Sequence, residues 1–204
     1  MRQYLIKEAT EKRLLEQGLQ LKLSQDDSAI SPRETCQSVF VGGEVRIPHD
    51  VDKGQCFDDF VRNYCRQVLE CKVTDIVWAT VYKYEHGGVE YSLGSSSCPW
   101  DSGIAGFIYI TKEELRSHHG VKRITQQLYD LQVSWFAGEL KDYTAYCNGD
   151  IYGIEIFSQN KDFESETWGV VDIDDHIDYT VNAVIDQAER ENARILENNI
   201  ATTA

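Results

Sequence analysis

Two groups able to form covalent bonds stand close together in Cys98-Pro99-Trp100-Asp101-Ser102-Gly103, where the Cys98 thiol or the Ser102 hydroxyl could attack and His118 or His119 could act as base. A nucleophile needs its base within hydrogen-bond reach and a further group to orient that base, and this spacing assures neither. The segment therefore reads as structural, and no catalytic residue is assigned. Pro99 fixes φ, Asp101 and Ser102 bond neighbouring amides, Gly103 supplies a positive φ, and Trp100 plugs the core beneath a tight connection into a strand at Gly106. His49 with Asp50 and Asp52, the His118-His119 pair, and Asp172, Asp174 and Asp175 with His176 each carry imidazole or carboxylate donors. No two of these histidines have the helical i, i+4 spacing of a ligand pair. The Asp172 run also lacks the Gly and Glu of a calcium loop, so capping carboxylates before a helix explain it and no metal or cofactor is expected.

The charge is distributed more tellingly. Of a formal net charge of −14, the segment Glu139–Glu197 holds fifteen acidic and four basic residues. Such a field repels nucleic acid and membrane surfaces and attracts basic partners. The candidate partner-binding surface is Asp162, Glu164, Glu166, Asp172, Asp174, Asp175, Asp178, Asp186 and Glu189. Carboxylates three or four residues apart recur about every 5 Å along a helix, close to the ~3.4 Å per phosphate of one DNA strand. Asp175, Asp178, Asp186 and Glu189 would form such a row of phosphate mimics. A merely solubilising acidic surface is the plainer alternative.

The elements that must position these groups follow from periodicity. Leu14, Leu15, Leu19, Leu21 and Leu23 suggest a helix over 8–23, interrupted by Gly18. A polar, turn-rich stretch then leads to a strand over 36–41. Phe57, Phe60, Val61, Tyr64, Val68 and Leu69 make 56–71 a helix, and Val73–Tyr84 with Val89–Leu93 form a hairpin around Gly87-Gly88. A strand over 106–110 runs into a helix start marked by the capping box Thr111-x-x-Glu114. A longer helix covers 122–147 and stops at Asn148-Gly149. Strands over 151–157 and 167–173 precede a last helix over 175–198. On that helix Ile177, Val181, Val184, Ile185, Ala188 and Ile195 form a docking stripe, while Asp175, Asp178, Asn182, Asp186 and Glu189 form a second stripe facing solvent. The expectation is one α+β domain over 1–204. It comprises an N-terminal helix and turn-rich segment (1–35), a core (36–173) with a mostly antiparallel sheet of five to seven strands, and an acidic helix (174–200), with the three main helices 56–71, 122–147 and 175–198 packed on one face of the sheet or at its ends. The six cysteines lack a Cys-x-x-Cys pair and read as reduced, buried small hydrophobes. With no signal-peptide core and no membrane-length apolar window, a cytoplasmic protein is expected.

Cys98-Pro99-Trp100-Asp101-Ser102-Gly103, Gly106-Phe107-Ile108-Tyr109, Gly138-Glu139 with Tyr143, Gly149-Asp150-Ile151-Tyr152-Gly153 and Trp168-Gly169 occur in this order. Together they resemble a family of small proteins encoded by bacteriophages and related mobile elements, mostly in Gram-positive hosts. The likeness spans about residues 90–170. It implies a context and no reaction. Phage accessory proteins of this size commonly act against host defences, so the resemblance and the acidity together imply a non-enzymatic inhibitor. Such an anti-CRISPR or antirestriction factor would bind a basic, nucleic-acid-binding host protein, a CRISPR effector or a restriction enzyme, without touching nucleic acid itself. An enzyme using the Cys98–Gly103 loop with His118 or His119, and a structural or regulatory phage protein, are the alternatives.

Overall fold

Contacts divide the chain into two compact units where one domain was expected: Met1–Ala29 with Gly149–Ala204 (unit 1), and the continuous segment Ile30–Asn148 (unit 2). The computed structural model describes residues 6–42, 57–94, 100–158, 164–171 and 173–203. The α+β class holds in both units, with two antiparallel sheets in place of a single one.

Unit 1 begins with α1 (Glu8–Glu16) and β1 (Leu19–Gln25). The helix expected over 8–23 stops early because Gly18, at φ +65°, lets the chain reverse. Leu19, Leu21 and Leu23 then point inward with the period of a strand. β1 pairs with β6 (Tyr152–Ser158), and β6 with β7 (Glu164–Val170). One face of this three-stranded sheet is covered by α1 and by α6 (Ile173–Thr203). Leu14, Ile154, Ile156, Ile177, Val181, Val184, Ile185 and Ala188 are buried there, so the expected docking stripe of the last helix is the core stripe from Ile177 to Ala188, its last member Ile195 lying outside the described side chains.

Unit 2 contains the single turn α2 (Pro32–Thr35), β2 (Val39–Gly42), α3 (Phe57–Gln67), the hairpin β3 (Ile76–Glu85) and β4 (Val89–Ser92), β5 (Ser102–Thr111), α4 (Lys112–His119) and α5 (Gln126–Asn148). Its strand order is β2-β5-β3-β4. Where helices on one face or at the ends were expected, α5 and α3 cover opposite faces of this sheet, so the second half of β5 is buried on both sides. Ile108 and Ile110 pack with Phe136, Leu140 and Tyr143 of α5, while Phe107 and Tyr109 pack with Val61 and Cys65 of α3. The Thr111 hydroxyl accepts from the Glu114 amide at 3.1 Å and the Glu114 carboxylate accepts from the Thr111 amide, completing the expected capping box. Gly149, at φ +70°, follows α5 as its stop. Burial pushes the Cys65 thiol up to about 11, and burial with Glu139 and Asp142 does the same for Cys36, so both stay protonated at neutral pH; of the four described cysteines only Cys65 is buried as expected, Cys36, Cys71 and Cys147 being half-buried. No helix among the described residues is long and apolar enough to cross a membrane.

Candidate functional site

The charge separates between the units. Unit 1 has eighteen acidic and eight basic residues, a balance of −10, against sixteen and twelve in unit 2, a balance of −4. Within unit 1, alternation along β6 and β7 sends Ile154 and Ile156 to the core and Glu155, Glu166 and Trp168 to the opposite face of the sheet. Glu155 stands directly across from Glu166, and like charges so paired are unfavourable. Two neighbours offset the repulsion. Lys22, across from Glu155 on β1, forms an ion pair with it, and that hydrogen bond holds the Glu155 carboxyl below its ordinary range. On the other side Trp168 Nε1 donates to Glu166 Oε2 at 3.1 Å. Trp168 remains 46% exposed and lies over Gly153, where a Cβ would sit 2.3 Å from the indole. Gly153 is thus the seat of the indole rather than part of a simple turn. At the end of the strands Asp26 ties the sheet together, accepting from the Ser28 amide and, at 3.1 Å, from the Gly169 amide, while its own amide donates to Ile151. Gln25 donates to the Gly149 carbonyl at 2.8 Å, and Tyr152 sits in the ladder between Gln25 and Val170. Asp150 precedes that ladder.

Of Asp178, Asp186 and Glu189 in the helical acidic row, only Asp178 is withdrawn from solvent, while Asp186 and Glu189 keep 56% and 43% of their side chains exposed. Asp178 accepts the Lys7 amide at 3.0 Å and pairs with its ammonium at 3.2 Å, and its side chain is only 15% exposed. Asn182 accepts from Arg13 and donates to Thr10, while Asp186 and Glu189 pair with Arg13 at 2.7 and 3.3 Å. These residues hold α1 on α6. The partner row was present on α1 as Lys7, Thr10, Arg13 and Gln17, spaced three or four apart, and it is the signal that went unread. Burial raises the Asp178 carboxyl, but the Lys7 amide, the Thr10 hydroxyl and the Lys7 ammonium outweigh it, leaving the group below its ordinary value. A depressed carboxylate stabilises above its unfolded-state value, and that contribution is lost as pH falls through the folded one. Docking of α1 should accordingly weaken on acidification below about pH 4. The triple reversal Asp178→Lys, Asp186→Lys, Glu189→Lys should also expose the α1 amides to exchange at neutral pH and lower the melting temperature. Unchanged protection of α1 in that variant would show that these pairs do not hold the helix.

Asp174 and Asp175 lie in the first turn of α6 and Glu164 opens β7, whereas Asp162 and Asp172 fall outside the described residues. So do Cys98, Pro99, Cys56, His49, Asp50 and Asp52. Trp100 is the clearest correction: at 91% exposure it plugs no core. Gly103 is an exposed strand residue without a positive φ, and that conformation falls instead to Gly106. Ser102 opens β5, and the Asp101 carbonyl accepts from the Glu85 amide, its carboxylate lying 3.6 Å from His86 Nδ1. His118 is exposed, and His119 stacks on Trp135 with its Nε2 buried and unpartnered among the described residues. No metal-binding cluster occurs among the described residues.

A polar cluster escaped the sequence reading. Ser38 and Gln132, both buried, meet at 3.4 Å, and one oxygen each of Gln132 and Glu139 is buried without a partner among the described residues. Burial raises the Glu139 carboxyl against the pull of the Ser38 hydroxyl and amide. Nearby, Arg33 lies over the Phe40 and Tyr143 rings at 4.8 and 5.4 Å and donates to the Phe40 carbonyl. With its thiol neighbour protonated, the cluster offers no activated nucleophile. Comparison with family models, with curated proteins and with solved structures finds no match to this chain.

Proposed function

We propose that the chain is a non-enzymatic binding protein of a phage or mobile element. In the host cytoplasm its acidic unit docks on a basic, nucleic-acid-binding defence protein, such as a CRISPR effector or a restriction enzyme, and blocks it. The observation that carries this reading is the open sheet face, where Glu155 and Glu166 stand opposed beside the exposed Trp168. With Glu155 already held by Lys22, an incoming Arg or Lys pairs with the exposed Glu166 carboxylate, and its alkyl stem and charge fit the indole face. Asp162, Glu164, Asp172, Asp174 and Asp175 add to the net negative charge of unit 1 and so to the field that steers the encounter. Asp178, Asp186 and Glu189, engaged with α1, leave the contact set.

Glu166→Lys separates binding from folding. It replaces a like-charge cross-strand pair by an opposite one, so the sheet should be at least as stable as in the wild type. Capture of a basic partner from host lysate should nevertheless drop by about tenfold or more, and further in Glu166→Lys/Trp168→Ala. Wild-type affinity should fall between about 50 and 200 mM salt, as screened rim charges require. A partner held equally by wild type and both variants, with no salt dependence, would sink the proposal.

A further inference from the structure

Against the acidity of the chain, one cleft of about 430 Å³ in unit 2 has only basic charge on its walls. Lys112 and Arg116 come from α4, Lys122 and Arg123 from the connection to α5, and Ile124 and Tyr129 complete the wall. Four of the twelve cations of unit 2 converge here, and no carboxylate is among the lining residues. Elsewhere in the fold Lys7, Arg13, Lys22, Arg62 and Lys83 each pair with an acid, whereas these four have no ion-pair partner among the described residues. Convergent cations without counter-charges repel one another, and an anion placed between them relieves that repulsion. Ile124 and Tyr129 pack on the core beneath α5, and α4 is fixed at both ends by its capping box and by Gly120 at φ +61°.

We propose that this cleft binds a phosphate-bearing small molecule of nucleotide size. Two guanidinium groups can each grip phosphate oxygens through paired hydrogen bonds, with the two ammonium groups as point charges beside them. The volume falls within the roughly 300–1,000 Å³ of small-ligand sites, and the half-buried Tyr129 ring gives a flat wall for a nucleoside. The site lies outside the acidic unit, so it stands or falls independently of partner capture.

Titration calorimetry of the full chain at low salt, with ATP, pyrophosphate, adenosine and a short dT oligonucleotide, tests the proposal. ATP and pyrophosphate should bind and neutral adenosine should not. Arg116→Ala/Arg123→Ala should weaken both by about tenfold or more, since each guanidinium gives charge-assisted bonds. Lys122→Ala/Arg123→Ala, confined to the exposed connection, provides a second variant should the first fold poorly. Tyr129→Ala should weaken ATP more than pyrophosphate. Equal loss of the two ligands in that variant identifies free polyphosphate as the occupant and still supports the site. Absence of binding by both polyphosphates, binding unchanged in a folded double variant, or binding of the oligonucleotide alone would overturn it.

Discussion

Gly106→Ala is expected to destabilise unit 2 by about 3 kcal/mol or more. Gly103→Ala, three residues earlier in the same strand, should be neutral or slightly stabilising, because an alanine is normally better than glycine within a strand. The contrast comes from what each new methyl would meet. At Gly106 a Cβ would lie 1.9 Å from the Val41 carbonyl oxygen, and at Gly42, directly opposite, 2.0 Å from that of Ala105. Both are backbone atoms of paired strands, so no side chain can rotate aside. The close approach accompanies an irregularity in β5: Val81 faces Gly106 and Tyr82 faces Ile104, leaving Ala105 as an extra residue. At Gly103 nothing lies within 4 Å. Urea melts of the two single variants and of Gly42→Ala decide the matter. Similar small shifts in all three would remove the close approach as the reason for glycine at 42 and 106.

Much of this architecture could be read from the chain, and the misreadings share a cause. The capping box at Thr111 and the stop at Gly149 are local chemistry, complete within a few residues, and both stand where the sequence placed them. The α6 core stripe was equally legible, because a period of 3.6 needs no knowledge of the partner. The failures concern partners far away in the chain. Asp178 looks like part of a solvated face until the start of α1, about 170 residues earlier, brings Lys7 to it, and Asp186 and Glu189, though exposed, are paired there with Arg13. Trp100 was assigned to the core on residue type, yet burial of an aromatic depends on what covers the segment. The two-unit division escaped for a related reason. Unit 1 is assembled from both chain ends, so although its C-terminal piece stands out by its charge, no linker or composition change marks Met1–Ala29 as belonging with it. At the site, the Glu155–Glu166 opposition depends on strand register, which alternation alone does not supply.

Phe107→Ala should carry the other large effect. The ring is fully buried on the α3 side of the sheet, with Tyr64 at 5.3 Å, Phe60 at 6.1 Å and Trp78 at 6.3 Å, all edge-on, and Tyr109 stacked at 5.7 Å. Removing it leaves a cavity among rings that cannot collapse together, at a cost of about 3–5 kcal/mol. Phe107→Leu should cost less than about half of that, since most of the volume remains. The consequence should extend into unit 1 through the covalent chain. Unit 2 leaves and re-enters unit 1 beside Gln25 and Gly149, which are hydrogen-bonded to each other. Once unit 2 unfolds, the two pieces of unit 1 are joined by a flexible loop of about 120 residues, whose closure costs on the order of 4 kcal/mol. The β1–β6 ladder, including the amides paired across Leu21↔Ile156 and Leu23↔Ile154, should therefore lose exchange protection in the same transition as β5. If the variant melted unit 2 while β1 and β6 kept wild-type protection, the two pieces of unit 1 would be holding each other without the closure supplied by a folded insert.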